Sequence, residues 1–130
     1  MQRITVVHIR RGADPNVNQQ LQWIGTSLGL FNLRDRDSSR FRIFIALVKG
    51  TRHAQPLSSD EIAERLQLSR GTVVHHLTKL MDTGIVVHEK GGYFLREANL
   101  SSMIKDIKRD TEAIFAELEE VAKEIDERLS

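Results

Sequence analysis

Hydrophobic side chains recur at helical spacing through most of the chain, and the clearest example is residues 68–80. Val73, Leu77 and Leu80 follow one another at intervals of four and three, which places them on one buried stripe of a helix. Ser69 stands just before this run, and a serine there can accept hydrogen bonds from the first free backbone N–H groups. The pattern predicts a capped helix with an apolar back.

Two shorter helical patterns come before this segment. The first lies between the capping residues around Asp37 and a glycine stop at Gly50, and its predicted buried stripe is Phe41, Phe44, Ile45 and Val48. The second starts at Ser58, which has Glu61 three residues on, the spacing of a capping box; its inner face is Ile62, Ala63 and Leu66. Because only a tight turn separates it from the helix of residues 70–80, the sequence predicts a helix-turn-helix.

A β-hairpin is predicted directly after these helices. Gly84 closes the last helix, residues 85–89 and 93–96 are strand-like, and Lys90-Gly91-Gly92 forms the turn between them. A hairpin in this position is the wing of a winged helix. The predicted fold class is therefore mainly α with a small β wing, a winged helix-turn-helix.

The chain also has a predicted N-terminal extension. Residues 3–10 are rich in β-branched side chains, which favours a strand. Asp14-Pro15 then has the composition of a helix start, and Val17, Leu21, Ile24 and Leu28 follow at helical spacing before Gly29. Since a lone strand needs a partner, this strand is expected to pair with the wing or with a second copy of the chain.

Residues 100–130 are predicted to form one long helix with a heptad pattern. The apolar positions step by four and three, and the predicted dimerisation residues are Leu100, Ile104, Ile107, Ile114, Leu118, Val121 and Ile125. A helix of about 30 residues reaches roughly 45 Å, which is longer than a small domain covers. The stripe therefore predicts a helix partner and a homodimer. Phe115 and Leu129 widen this face and offer a contact to the N-terminal helix.

The charge balance of +1 is unevenly distributed. Residues 1–37 carry 5 basic and 3 acidic side chains, residues 38–97 carry 9 and 6, and residues 98–130 carry 5 and 9. A basic middle and an acidic tail fit a body that faces DNA and a tail held away from phosphates. No apolar run approaches a membrane span, the first residues lack the features of a signal peptide, and cysteine is absent. We expect a cytoplasmic protein.

Hydrogen-bond donors dominate the polar side of the helix over residues 70–80, which has no carboxylate. Such a helix suits the major groove of DNA, where guanine offers acceptors and thymine a methyl group. Basic residues on the wing and on the first core helix would add phosphate contacts. The predicted DNA-binding residues are Arg70, Thr72, His75, His76, Lys79, Lys90, Arg40 and Arg96.

Neither a metal site nor a catalytic site is predicted, and no cofactor is expected. His75 and His76 are adjacent, so their side chains diverge by about 100° on a helix and cannot easily share an ion. Asp60, Glu61 and Glu64 cluster at a predicted helix start, where the helix dipole alone favours acidic residues. Gly91-Gly92 lies between strands and precedes no helix, unlike a phosphate-binding loop.

The segments Leu68-Ser69, Thr72 to Leu80 and Gly84-Ile85-Val86 closely resemble the winged helix-turn-helix of ArsR-type bacterial and archaeal regulators. The segment from Asp37 to Ile43 resembles the first core helix of that family, and the whole resemblance covers residues 37–97. With the patterns on either side of this match, the sequence predicts three parts: an N-terminal extension (1–36), which departs from the common layout of the family, a DNA-binding domain (37–97) and a dimerisation helix (98–130). The metal-sensing patterns of the family, cysteines near the recognition helix or Asp/His pairs on the last helix, are missing.

Two hypotheses about function follow. The favoured one is a sequence-specific transcription regulator that binds a pseudo-palindromic site in double-stranded DNA as a homodimer, with half-sites about 10 bp or a multiple of it apart. On this hypothesis the N-terminal extension could widen the dimer or recruit a transcription-machinery protein. The alternative is a protein-interaction module that uses the winged helix and the long helix to assemble a complex without contacting DNA.

Overall fold

The computed structural model describes residues 2–32 and 38–130. In these ranges the chain forms five helices and one antiparallel pair of strands, a winged helix-turn-helix as predicted. The elements are α1 (Val17–Ser27), α2 (Ser39–Arg52), α3 (Ser59–Leu66), α4 (Arg70–Asp82), β1 (Val86–Glu89), β2 (Gly92–Leu95) and α5 (Leu100–Leu129). The predicted capping by Asp37 and the boundary between residues 36 and 37 lie outside the described residues.

Local hydrogen bonds define the two helices of the helix-turn-helix. At the start of α3, the Glu61 N–H donates to the Ser58 hydroxyl at 3.1 Å and the Ser58 N–H donates to the Glu61 carboxylate at 3.4 Å. At the start of α4, the Thr72 N–H donates to the Ser69 hydroxyl at 3.1 Å. Between the helices Gln67 adopts a left-handed conformation, with a φ of 55°, which turns the chain sharply. Both predicted caps are confirmed.

Helix α2 lies at the centre of the hydrophobic core, but its buried stripe differs from the predicted one. Ile43, Phe44 and Leu47 are fully buried, whereas Ile45 and Val48 are only partly buried. The helix also continues past Gly50 to Arg52, so the predicted stop is wrong. A glycine is favoured at position 50 because the following loop packs closely against it. The Gln55 N–H donates to the Gly50 carbonyl at 2.8 Å, and a Cβ on Gly50 would lie 3.0 Å from the Gln55 oxygen.

The wing is confirmed, and both strands begin and end within one residue of the predicted bounds. Val86 pairs with Leu95 and Glu89 with Gly92, and the Val86–Leu95 pair is buried. The wing is attached near its tip to the loop before α3, because the Tyr93 N–H donates to the Leu57 carbonyl at 2.8 Å. Gly92 is needed at this contact, since a Cβ there would lie 2.6 Å from the Leu57 oxygen.

The N-terminal extension contains one of its two predicted elements. Residues 2–16 form no strand, so the predicted strand is wrong, and α1 begins after Asn16 and not after Asp14. These residues are held instead by individual hydrogen bonds: the Arg3 N–H donates to the Asp82 carbonyl at 3.2 Å and the Val7 N–H to the Ser27 carbonyl at 2.7 Å. β-Branched side chains favour a strand only where an edge is available for pairing, and the wing is not paired with this segment.

Helix α5 spans the predicted segment but has two halves in different surroundings. In the first half, Met103 and Ile107 are 0% and 6% exposed and belong to the core. Beyond Thr111 every residue is exposed. Ile107, predicted as a dimerisation residue, is therefore covered by its own domain and offers little surface to a partner. Within residues 2–32 and 38–130, no helix is long and apolar enough to cross a membrane.

Candidate nucleic-acid interface

Helix α4 has one fully buried side and one solvent-exposed side. Val73, Leu77 and Leu80 are each 0% exposed, so the predicted anchor of this helix is confirmed. His75 and Lys79 lie on the exposed side. Because three consecutive turns of the helix are anchored in the core, the exposed side chains project from a rigid support.

Arg70 stands at the first position of α4 and contacts the preceding helix. Its Nε lies 3.3 Å from a carboxylate oxygen of Asp60, and both side chains are more than 70% exposed. An ion pair with this exposure contributes little to stability. The guanidinium of Arg70 can therefore exchange the carboxylate for a DNA acceptor at small cost.

Thr72 and His76 are less available than the sequence predicts. The Thr72 hydroxyl oxygen accepts a hydrogen bond from the Ser69 hydroxyl at 2.7 Å, so this side chain is part of the helix cap. His76 is half-buried, and its Nδ1 accepts a hydrogen bond from the Arg40 Nε at 3.1 Å. A ring nitrogen that accepts a hydrogen bond carries no proton, so Arg40 fixes the orientation of the imidazole on α4.

Arg40 connects three parts of the molecule. Besides its bond to His76, its Nη1 donates to the carbonyl of Leu30 at 3.3 Å, just after α1. The side chain is half-buried and both bonds are directed into the protein. This placement favours a supporting role for Arg40 over the phosphate contact predicted from the sequence.

The wing carries Lys90 at its tip, where the side chain is exposed. Next to the tip, the rings of His88 and Tyr93 stack with their centroids 4.2 Å apart and their planes 4° from parallel. These two residues are cross-strand partners, and their stacking stiffens the hairpin that presents Lys90.

Arg96 is directed at α5 and its charge is already compensated. Its Nη1 lies 2.5 Å from the Asp110 carboxylate and its Nε lies 3.5 Å from the Asp106 carboxylate. The hydrogen bond from Arg96, together with one from Gln2, holds the pKa of Asp110 below its ordinary value. Two neighbouring carboxylates would also repel phosphate, so this geometry argues against the phosphate contact predicted for Arg96.

Residues absent from the sequence-based set also shape this surface. Gly71 is exposed on the first turn of α4, and a Cβ there would meet nothing within 4 Å. Val74 is 41% exposed beside the donors. Arg42 acts from α2, where its Nη2 donates to the Leu66 carbonyl at 2.7 Å and so caps the end of α3. The sequence alone could have indicated Gly71, because it shows a glycine in the first turn of a predicted helix. It could not have indicated the hydrogen bond of Arg42, which depends on tertiary contacts.

Comparison with protein families gives a match to the middle of the chain. Residues 37–89 match a family model described as a helix-turn-helix domain. Comparison with curated proteins and with solved structures gives no match. The matched segment contains α2, α3, α4 and β1, the elements that build the surface described above. This part of the chain is a helix-turn-helix domain, which supports DNA binding and a role in transcription regulation; the match does not specify the ArsR type.

Proposed function

We propose that the protein is a sequence-specific DNA-binding transcription regulator that acts as a homodimer on a pseudo-palindromic site. The observation that carries this proposal is the structure of α4, whose apolar back is fully buried and whose exposed side presents His75 and Lys79 next to Arg70. A helix supported in this way fits the major groove with its first turns nearest to the bases.

The proposed DNA contacts fall into two groups. Arg70 and Lys79 donate to guanine acceptors or to phosphate, and His75 adds a donor between them. Val74 is positioned on the same helix to contact a thymine methyl group. Lys90 on the wing contacts the phosphate backbone, which fixes the register of the protein on the duplex without selecting a sequence.

Gly71 supports a close approach of the DNA to the start of α4. A glycine inside a helix costs about 1 kcal/mol relative to alanine, and apart from the adjacent residues and the backbone of α4 nothing in the described chain lies within 4 Å of where its Cβ would be. Space left open there suits the approach of a phosphate or a sugar to the backbone N–H groups at the N-terminus of α4.

The proposed dimer follows from the outer half of α5, which we define as residues 112–129. Its exposed apolar side chains continue the heptad pattern beyond the point where the domain ends. Pairing of two such helices would relate the two α4 helices by a two-fold axis. The DNA site would then contain two inverted half-sites, about one helical turn or a multiple of it apart.

The experiment that tests DNA binding compares two double variants on a footprinted genomic site. Arg70→Ala with Lys79→Ala removes two positive charges from α4, whereas Lys105→Ala with Lys108→Ala removes two exposed charges from α5. Each lost base contact costs about 1–3 kcal/mol. We therefore expect about a 100-fold loss of affinity for the first variant and less than about a threefold loss for the second.

Equal affinities of the two double variants would contradict the proposal. If the helix-turn-helix bound only proteins, neither variant would differ from the unchanged protein in DNA binding, and no genomic site would be protected in the footprint. Circular dichroism and sedimentation of each variant exclude unfolding or loss of the dimer as the cause of a reduced affinity.

A further inference from the structure

An open apolar groove lies where α1, the start of α5 and residues 2–15 meet. We name residues 2–15 the N-terminal arm. The groove has a volume of about 760 Å³, and its apolar lining includes Ile9, Leu21, Trp23, Ile24 and Leu100. The Trp23 indole N–H donates to the Ile9 carbonyl at 2.9 Å, and the Arg11 guanidinium lies 5.7 Å from the centre of the Trp23 ring. These contacts hold the arm against α1, so the groove is preformed.

The outer half of α5 presents a long apolar stripe to solvent. Its large apolar side chains are between 39% and 80% exposed: Ile114, Phe115, Leu118, Val121, Ile125 and Leu129. Contiguous apolar surface of this extent marks an interaction site in most proteins. The stripe and the groove are therefore both apolar surfaces that the core of the domain leaves open.

The charges of these two regions are opposite. Residues 112–129 carry seven acidic and two basic side chains, a balance of −5, whereas the N-terminal arm carries three arginines and one aspartate, a balance of +2. Arg11 and Asp14 both line the groove, so the positive balance comes from the rest of the arm. An acidic helix with an apolar stripe therefore complements the groove in polarity and the arm beside it in charge.

We infer that the groove of each chain receives the end of α5 from a second copy, and that the two α5 helices of the dimer are antiparallel. Leu100 connects the two surfaces, because it lines the groove and is also the first residue of the heptad stripe. Since the helices have equal length, antiparallel pairing brings the end of each over the start of the other. Parallel pairing would bring the two ends together and leave both grooves open.

This inference rests on the proposed homodimer and adds the direction of its helices and the role of the arm. It also gives the arm a role in the dimer, whereas the sequence pattern predicted that this segment forms a paired strand. The arm forms one wall of a helix-binding groove, and its arginines attract the acidic helix. The partner that occupies the groove is a second copy of this chain.

Cross-linking through introduced cysteines tests the inference on the full chain, which contains no cysteine of its own. Gln20→Cys places a thiol at the rim of the groove, and Glu127→Cys places one on the exposed end of α5. The two single variants are mixed, allowed to exchange subunits and treated with a short bis-maleimide. Lys90→Cys, at the exposed tip of the wing, replaces Gln20→Cys in the control mixture.

Antiparallel helices predict that the Gln20→Cys and Glu127→Cys mixture gives the main cross-linked dimer, with at least a tenfold higher yield than the control mixture. Cross-linking of Glu127→Cys to itself would indicate parallel helices and overturn the inference, while DNA binding by the dimer would stand. A dimer in sedimentation that gives neither product would mean that the groove does not receive the end of α5, which also overturns the inference.

A monomer in sedimentation would overturn both the inference and the proposed homodimer. Failure of the antiparallel arrangement or of the homodimer can be distinguished from failure of DNA binding. The comparison of the Arg70/Lys79 and Lys105/Lys108 variants measures the contribution of the α4 surface separately. Unchanged circular dichroism of the Gln20→Cys and Glu127→Cys variants shows that the substitutions leave the fold intact.

Discussion

Helix α4 and the outer half of α5 both present side chains to solvent, but they offer different chemistry. The exposed side of α4 carries N–H donors, among them His75 and Lys79, behind which three apolar residues are fully buried. The outer half of α5 carries acidic residues and exposed apolar ones such as Leu118, which is 57% exposed. One surface is suited to a polyanion with acceptor groups, and the other excludes a polyanion and suits a second helix.

The inner half of α5 explains how the two surfaces are kept apart. Met103 and Ile107 anchor it in the core, and Asp110 is bound by Arg96 from the end of the wing. Beyond Thr111 the helix has no such contacts. The same heptad pattern therefore serves two purposes, first to attach the helix to its own domain and then to project an apolar stripe away from it.

The largest expected effect is loss of the proposed dimer when the apolar stripe on the outer half of α5 is disrupted. Leu118→Glu places two charges in the proposed dimer seam and removes two leucines, each of which contributes about 1.5–3 kcal/mol when buried. We expect the dimer dissociation constant to rise more than about 100-fold in analytical ultracentrifugation. Ala113→Glu adds the same acidic side chain at an exposed position outside the heptad stripe and should leave the dimer intact; equal dissociation constants for both variants would reject the seam.

A smaller effect is expected when Arg40, which supports His76 on α4, is replaced. Arg40→Ala removes the hydrogen bond that orients His76, and loss of such a bond costs about 1–1.5 kcal/mol. We expect the free energy of unfolding, measured in urea, to fall by about this amount, while the affinity for the footprinted site keeps its dependence on salt. If Arg40 contacted phosphate instead, the slope of log K against log salt would fall by about 0.9. Arg52→Ala, at the exposed end of α2, serves as the matched control.

Gly71→Ala separates the stability of α4 from its function. Alanine favours a helix by about 0.8–1 kcal/mol over glycine, and the space around Gly71 is open. The free energy of unfolding, measured in urea, should therefore rise by up to about 1 kcal/mol. DNA affinity should fall a few-fold, because the added methyl group would stand where the proposed binding mode brings the duplex. An affinity that rises together with stability would show that the DNA stays clear of this turn.

The smallest effect concerns the junction between the two halves of α5. Arg96 lowers the pKa of Asp110, so their pair stabilises the fold above the unfolded pKa of about 3.9, and this stabilisation is lost as the pH falls through the lower folded value. Asp110→Asn should reduce the free energy of unfolding by up to about 1 kcal/mol at pH 7, because the pair is partly exposed. The difference from the unchanged protein should shrink as the pH falls below about 3.9 and Asp110 becomes protonated, as urea unfolding at pH 7 and at acidic pH can show.

The pKa of Glu97 is shifted in the opposite direction from that of Asp110. A side-chain hydrogen bond with Asp106 and, after it, the negative charge of Asp106 raise the pKa of Glu97, so the fold favours the protonated carboxyl of Glu97 and loses that stabilisation as the pH rises through the folded pKa. Glu97→Gln should therefore stabilise the protein at pH 7 and make no difference at acidic pH, in the same urea experiments. A loss of stability at pH 7 would indicate that the attraction between Glu97 and Arg96 outweighs the repulsion from Asp106.

The sequence predicted the parts of the molecule that depend on near neighbours. The capping box of Ser58 and Glu61, the cap at Ser69 and the anchor of α4 each involve residues within a few positions of one another, and all are confirmed. The wing was also predicted, because its strands are joined by a short glycine turn. These features follow from backbone hydrogen bonding and helical periodicity alone.

Features that depend on distant contacts were predicted less well. The β-branched residues 3–10 indicated a strand, yet no edge pairs with them and they lie along α1 and the end of α4. Arg96 was predicted to contact phosphate because its partners, Asp106 and Asp110, are brought to it only by the packing of α5. The heptad pattern located the apolar stripe of α5, but it could not separate Ile107, which is covered by the core, from Leu118, which is not.

The most direct test of the account is the dependence of DNA affinity on the spacing of the two half-sites. Inserting about 5 bp between them turns one half-site by half a helical turn, to the opposite face of the duplex. The account predicts that affinity, measured by fluorescence anisotropy, then falls to that of a single half-site, because one rigid dimer cannot engage both. An unchanged affinity after the insertion, or full affinity for one isolated half-site, would contradict it.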